Sequence, residues 1–158
     1  MLPDDETTVE RHPAVIVLRQ FFSEMHAWEW SLLREDFADL EHLDPEKIEA
    51  EIDKRRAAQR VRLARIFEKY CDVGSKAKRV HDLLHCGGEE PDYNPKTEKI
   101  LSVQEAGDKV VVETQMAHNF KFRLRYELEK KNGKWRIRDN RKCKDPFLPN
   151  PKWSRWDL

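Results

Sequence analysis

"KKNGKWRIRD" covers residues 130–139 and holds two strand halves around an Asn-Gly pair. Asn132-Gly133 is the pair most favoured in a two-residue type I′ turn, where both positions need positive φ and the twist suits the flanking strands. Such a turn sets Lys131 against Lys134, and the remaining pairs follow. Glu129 faces Arg136, Leu128 faces Ile137 and Glu127 faces Arg138, so opposite charges meet on one face and apolar side chains on the other. A slip of one residue would turn Leu128 and Ile137 to the wrong face. The stretch therefore predicts an antiparallel hairpin with one covered side.

The pattern extends upstream. Phe120, Phe122, Leu124, Tyr126 and Leu128 alternate with Lys121, Arg123, Arg125, Glu127 and Glu129, the period of a half-buried strand. Runs over 98–105, 109–116, 120–130 and 134–142 are punctuated by Gly107-Asp108 and His118-Asn119, which predicts a four-stranded (or larger) antiparallel meander over 96–142. The first half has helical spacing instead. Pro13 suits a first helical position. Ala14, Leu18, Phe21, Met25, Trp28 and Leu32 follow as a stripe that Val15, Phe22 and Leu33 widen. Asp44-Pro45 opens a second helix with Ile48, Ile52, Leu63, Ile66 and Tyr70 on its apolar face. Ser75 starts a short third helix that ends at Gly87-Gly88, and "GGEEPDYNP" is a loop. The expected class is α+β in one domain over 1–158. It comprises a loose N-terminus over 1–12, a helical half over 13–87, the meander, and a C-terminal tail over 143–158.

The chain's 158 residues suit one domain with a real core. Charged residues make up 38%, but five Trp, seven Phe and three Tyr are too many for a disordered chain. Formal net charge is zero, so nothing global points to nucleic acid or a membrane. No stretch approaches the roughly 20 apolar residues that span a bilayer. The acidic start "MLPDDETTVERHP" has no apolar core of a leader peptide. Cys71, Cys86 and Cys143 are odd in number and far apart, which suits a reducing cytoplasm.

Local charge is uneven. Residues 35–53 carry nine carboxylates and one Lys, while 54–65, "KRRAAQRVRLAR", carry six basic residues and no acid. Two surface patches of opposite sign are one reading; solvated helix faces with pairs such as Glu51–Arg55 are the other. The basic run could meet phosphates. Arg55, Arg56, Arg60, Arg62 and Arg65 can equally snorkel over apolar surface and pair with the acids before them, so no direct nucleic-acid binding is expected.

Chemical motifs are sparse. "HDLLHC", 81–86, places His81 and His85 at metal-ligand spacing, but no third ligand follows at a usable interval, and a polar helix edge is the plainer reading. There is no G-x-S-x-G, no C-x-x-C and no Gly-rich loop ahead of a helix. No metal and no cofactor are expected.

Three stretches carry a family resemblance: "YNPKTEKILSVQEAGDKVVVETQ", "FKFRLRYELEKKNGKWRIRDNRK" and the ending "KWSRWDL". Together with the helices-then-meander layout they resemble the nuclear transport factor 2-like fold, and within it the immunity proteins that bacteria use against polymorphic toxins. The resemblance implies a cone in which N-terminal helices pack on a curved sheet, with space for a pocket between sheet and first helix. His26, Trp28, Phe122, Tyr126 and Trp135 would line it. Asp139, with His26 and Tyr126, is the one set there with acid–base potential, and a strand-end Asp, a helix-flank His and a core Tyr is the simpler account.

The resemblance further implies a cytoplasmic, non-enzymatic protein that occludes one cognate toxin domain, with no membrane contact. The competing class is a small-molecule-binding or catalytic cone. An open polar interior favours the second, and an interior plugged by aromatic rings favours the first. Toxins of these systems include nucleases, whose active sites are basic. Glu35, Asp36, Asp39, Glu41 and Asp44, with Phe37, Leu40 and Leu43 among them, are therefore the expected partner-binding corner. The sequence does not specify the oligomeric state.

Overall fold

The computed structural model describes residues 8–72, 91–116, 122–145 and 148–157; for 139–141 and 155–157 the description extends to the backbone alone. The third helix expected over 75–87, with His81, His85 and Cys86, lies outside the described residues, as does Phe120.

Helix α1 runs Pro13–Leu33. His12 caps it: the backbone there is extended, and the ring Nδ1 accepts a hydrogen bond from the Ala14 amide at 3.1 Å. Residues before the cap are tied as well, since Glu10 receives two bonds from the Arg19 guanidinium. After α1 the chain makes a single 3-10 turn, Ala38–Leu40, and Asp36 accepts from the Ala38 amide at 2.9 Å. Helix α2 runs Pro45–Tyr70. Asp44 stands at its N-cap, but its side chain makes no capping bond; its carbonyl closes the first turn with the Ile48 amide at 3.0 Å.

Six strands follow: β1 Cys71–Asp72, β2 Lys99–Ala106, β3 Lys109–Gln115, β4 Arg123–Lys131, β5 Lys134–Lys144 and β6 Ser154–Asp157. They form one sheet in the order β1-β5-β4-β3-β2, with β6 also paired to β5. The four expected meander strands are all present and antiparallel. Two strands are additional, and one of them, β1, makes the sheet mixed rather than purely antiparallel. β1 pairs parallel with β5 through Cys71–Ile137 and Asp72–Arg138. β6, from the region expected as a tail, pairs antiparallel with Asn140–Cys143. The same edge of β5 is thus shared, its first half with β1 and its second with β6.

The turn that anchors the fold has the expected geometry, with φ of 52° at Asn132 and 76° at Gly133. Lys131–Lys134, Glu129–Arg136 and Leu128–Ile137 pair as expected. The Glu127–Arg138 pair does not form. The register shifts between Tyr126 and Leu128, so Tyr126 faces Arg141, and Arg138 turns to Glu129 at 3.1 Å. Glu129 is released for this because Arg136 donates instead to the carbonyls of Glu68 and Lys69 at the end of α2, at 2.8 and 2.9 Å, and to that of Cys71. Those carbonyls have no partner within the helix, and a guanidinium fork satisfies several at once. Gly133→Val is expected to cost at least about 1–2 kcal/mol, since a β-branched residue in left-handed backbone is strained even though nothing stands within 4 Å of the added Cβ. Urea titration followed by circular dichroism measures this, and a midpoint equal to wild type would refute the turn.

The core lies between α1, the second half of α2 and the inner face of the sheet. Ala14, Val15, Leu18, Phe21 and Phe22 of α1 are fully buried, as are Val110, Val112, Leu124, Tyr126 and Ile137 of the sheet. On α2 the buried positions are Leu63, Phe67 and Tyr70, whereas Ile48, Ile52 and Ile66 are half-buried. The first half of α2 therefore projects beyond the core, which explains how it carries so many charges.

Candidate functional site: a filled cone and two charged surfaces

The interior between α1 and the sheet is occupied by rings. Phe22 meets Tyr126 edge-on at 5.3 Å, Phe21 meets Tyr93 at 5.4 Å, and Phe21 also touches Phe67 and Tyr70. All of these lie between 0 and 8% exposed, so among the described residues rings pack against one another at the position where the sequence suggested a pocket.

The five residues expected to line that pocket are spread out. Tyr126 is at the centre and fully buried. Trp28 is buried at 3% exposure but faces α2, and its indole N–H donates to the Gln59 carbonyl at 3.0 Å. Phe122 and Trp135 are half-buried at the margin, with Trp135 edge-on to His12 at 5.9 Å. His26 has both ring nitrogens engaged: Nδ1 lies 2.7 Å from the Tyr93 carbonyl and Nε2 accepts from the Trp30 indole at 3.2 Å. That pairing fixes Nδ1 as the protonated nitrogen and leaves no lone pair for a reacting group. The side chain of Asp139 lies outside the described residues.

Sequence reading missed Glu29. It is 3% exposed, and its carboxylate accepts the backbone amides of Asp92 at 2.8 Å and Tyr93 at 3.2 Å. With Arg19 donating to the carbonyls of Pro95 and Glu98 at 2.8 Å each, and His26 on Tyr93, it pins residues 91–98 along α1. A signal existed: Glu29 falls on the buried stripe, four residues after Met25 and one after Trp28, where a carboxylate must have a partner.

The acidic corner stands apart from the cone. Asp36, Asp39, Glu41 and Asp44 are exposed and Glu35 is half-exposed. One of the five is committed internally: Arg55 donates to both oxygens of Asp39, at 2.6 and 3.2 Å, and this hydrogen-bonded guanidinium holds the Asp39 carboxyl below the usual carboxylate range. Glu35 receives Gln59 at 3.4 Å, and Asp44 lies 4.0 Å from Lys47. Among the described residues no cation stands within 4.0 Å of Asp36 or Glu41. Leu40 is buried beneath them, whereas Phe37 and Leu43 are half-buried and reachable. Of the basic run, Arg56, Arg62 and Arg65 are exposed.

Among the described residues no group of three His, Cys, Asp or Glu side chains is placed to hold a metal ion, and no helix is long and apolar enough to cross a membrane. Cys71 and Cys143 are buried thiols.

Helices laid on one face of a sheet, with aromatic rings packed between them, define a cone-fold protein. The chain belongs to the NTF2-fold immunity proteins, whose family model matches residues 13–156. It is similar to the immunity protein RhsIA of Dickeya dadantii (strain 3937), 28% identical over 142 residues that cover 90% of this chain and 93% of the relative. No solved structure matches it significantly. Immunity proteins neutralise toxins, so a toxin-neutralising role in general follows from this membership.

Proposed function

We propose that this chain neutralises one cognate toxin domain in the bacterial cytoplasm by binding and occluding it, without chemistry of its own. The observation that carries the reading is the aromatic packing between α1 and the sheet. Where a catalytic or ligand-binding relative needs an open space with polar groups, Phe21, Phe22, Tyr93 and Tyr126 pack against one another. Recognition then falls to the exterior. The acidic corner is the first candidate: Glu35, Asp36, Glu41 and Asp44 are turned to solvent or only weakly engaged, next to Phe37 and Leu43 as apolar anchors. A carboxylate cluster of this kind suits a basic active site, such as that of a nuclease, and steers the encounter at long range.

Reversal of Asp36, Asp39 and Glu41 together to Lys tests the corner. The triple variant is expected to lose at least about tenfold in association rate with the toxin domain at low salt, and most of its salt dependence. Unchanged protection of cells and unchanged binding kinetics in a folded variant would remove the corner from the interface.

A further inference from the structure

We infer that the outer face of β4, β5 and β6, built on Arg123, Arg125, Lys142 and Lys144, is a second docking surface, one that receives a carboxylate-bearing surface of the toxin. This rests on the toxin-binding role proposed above and adds a second contact of opposite sign to it.

The case begins with the register shift in β4–β5. A hairpin continuing without it would set Arg125 against Asn140. The shift sets Arg125 against Lys142 and Arg123 against Lys144, so two rows of like charge stand directly opposite one another. In the backbone register of the next strand, Arg155 stands opposite Lys142. Like charges at directly opposed positions destabilise a sheet. The compensation within the chain is partial. Glu113 lies 3.7 Å from Arg123 and 3.6 Å from Arg125, one carboxylate for two guanidinium groups. Among the described residues no carboxylate oxygen comes within 4.0 Å of Lys142 or Lys144. Trp153 lies flat beneath this charge, with the Arg125 guanidinium 4.0 Å and the Lys144 ammonium 5.6 Å from its ring centre. The ring holds both cations in place without neutralising them.

On the same face a concavity of about 190 Å³ runs from β2 across to β5, lined by Gln104, Val111, Arg125, Glu127 and Lys142. It is smaller than the roughly 300–1,000 Å³ usual for a small-molecule site, and it suits a single side chain. Its wall carries two cations, Arg125 and Lys142, against one carboxylate, Glu127, a net positive lining that favours a single anionic side chain. A nucleic-acid strand fits less well: the face of Trp153 is covered by Arg125 and unavailable for stacking, and Glu113 and Glu127 interrupt the basic track. An Asp or Glu reaching in from a protein surface meets Arg125 and Lys142 together and relieves the repulsion between them.

The test is the double variant Lys142→Glu/Lys144→Glu, which replaces both like-charge pairs with opposite-charge ones. The free protein is expected to melt higher by about 1–4 °C, because each cross-strand pair changes sign. Its association rate with an inactivated form of the cognate toxin domain is expected to fall at least about tenfold at low salt. A stabilised variant that binds less well cannot be explained by misfolding. Lys142→Gln/Lys144→Gln, which removes the charge while keeping polar side chains, is expected to bind about threefold more slowly and serves if the acidic variant fails to fold. Toxin binding equal to wild type in both variants overturns the inference and leaves the toxin-binding role standing. So does a fluorescent single-stranded oligonucleotide that wild type retains and the variants lose while toxin binding is untouched. Wild-type chain that does not bind the toxin domain would defeat the role itself, and this surface with it.

Discussion

Trp28→Ala is expected to destabilise the protein by about 3–5 kcal/mol, the range for removing a large aromatic side chain from a packed core. The residue is 3% exposed where α1 crosses α2, and its indole N–H reaches the Gln59 carbonyl in the middle of the facing helix. Neither helix can move in to fill the space, because α1 is held to the sheet through Phe22 and Tyr126 and the end of α2 is held by Arg136. Urea denaturation followed by circular dichroism at 222 nm (the far-ultraviolet helix band) measures the loss independently of the deleted fluorophore. A change under about 1 kcal/mol would mean that α1 and α2 pack differently from the arrangement described.

Glu29→Ala is the second large effect. The substitution leaves two backbone amides, those of Asp92 and Tyr93, without their acceptor in a part-buried setting. Hydrogen bonds to an ionised acceptor contribute about 1.5–3 kcal/mol each, and the cost of having buried the carboxylate offsets some of that. A net loss of about 3 kcal/mol is expected. Hydrogen exchange identifies the cause: the Asp92 and Tyr93 amides should lose protection more than those of β4. Glu29→Gln keeps one acceptor oxygen and should retain part of the stability. Unchanged exchange at both amides in Glu29→Ala would show that the segment is held by other contacts.

What the sequence disclosed and what it hid divide along physical lines. The Asn132-Gly133 turn, the α1 stripe and the four central strands depend on local chemistry and short-period patterning, and each was legible. β1 was not. Two residues, Cys71 and Asp72, have no period of their own and become a strand because Ile137 and Arg138 lie alongside. β6 is short and acquires its identity in the same way, from β5. The register shift likewise has no signature in residues 126–141, yet it decides which charges face each other across the outer face. Arg136 shows the limit of pairwise reasoning: its cross-strand neighbour is Glu129, but the carbonyls at the end of α2 hold it. At the cone, apolar parity correctly placed Leu124, Tyr126, Leu128 and Ile137 inside. Placing Trp28 in the same pocket assumed that a buried helical side chain faces the sheet, whereas two helices competed for it. The acidic corner was legible as composition, as was pairing of the Arg-rich run with the acids before it; which of them Arg55 would take was not, because Asp39 lies sixteen residues away across a turn.

The shared edge of β5 also joins pairings of very different sequence separation. β2 and β3 are joined by Gly107-Asp108, and β4 and β5 by Asn132-Gly133, so each of these hairpins can close on the microsecond scale. The β1 seam is different. Residue 71 reaches residue 137 only after all the chain between them has been gathered in, and such non-local pairing is what slows folding. Arg136 sits beside that seam and clasps the end of α2, so one side chain ties the sheet edge to the helix end. Part of the cover over the α1 stripe therefore depends on the most distant pairing in the chain, the one with the highest loop-closure cost.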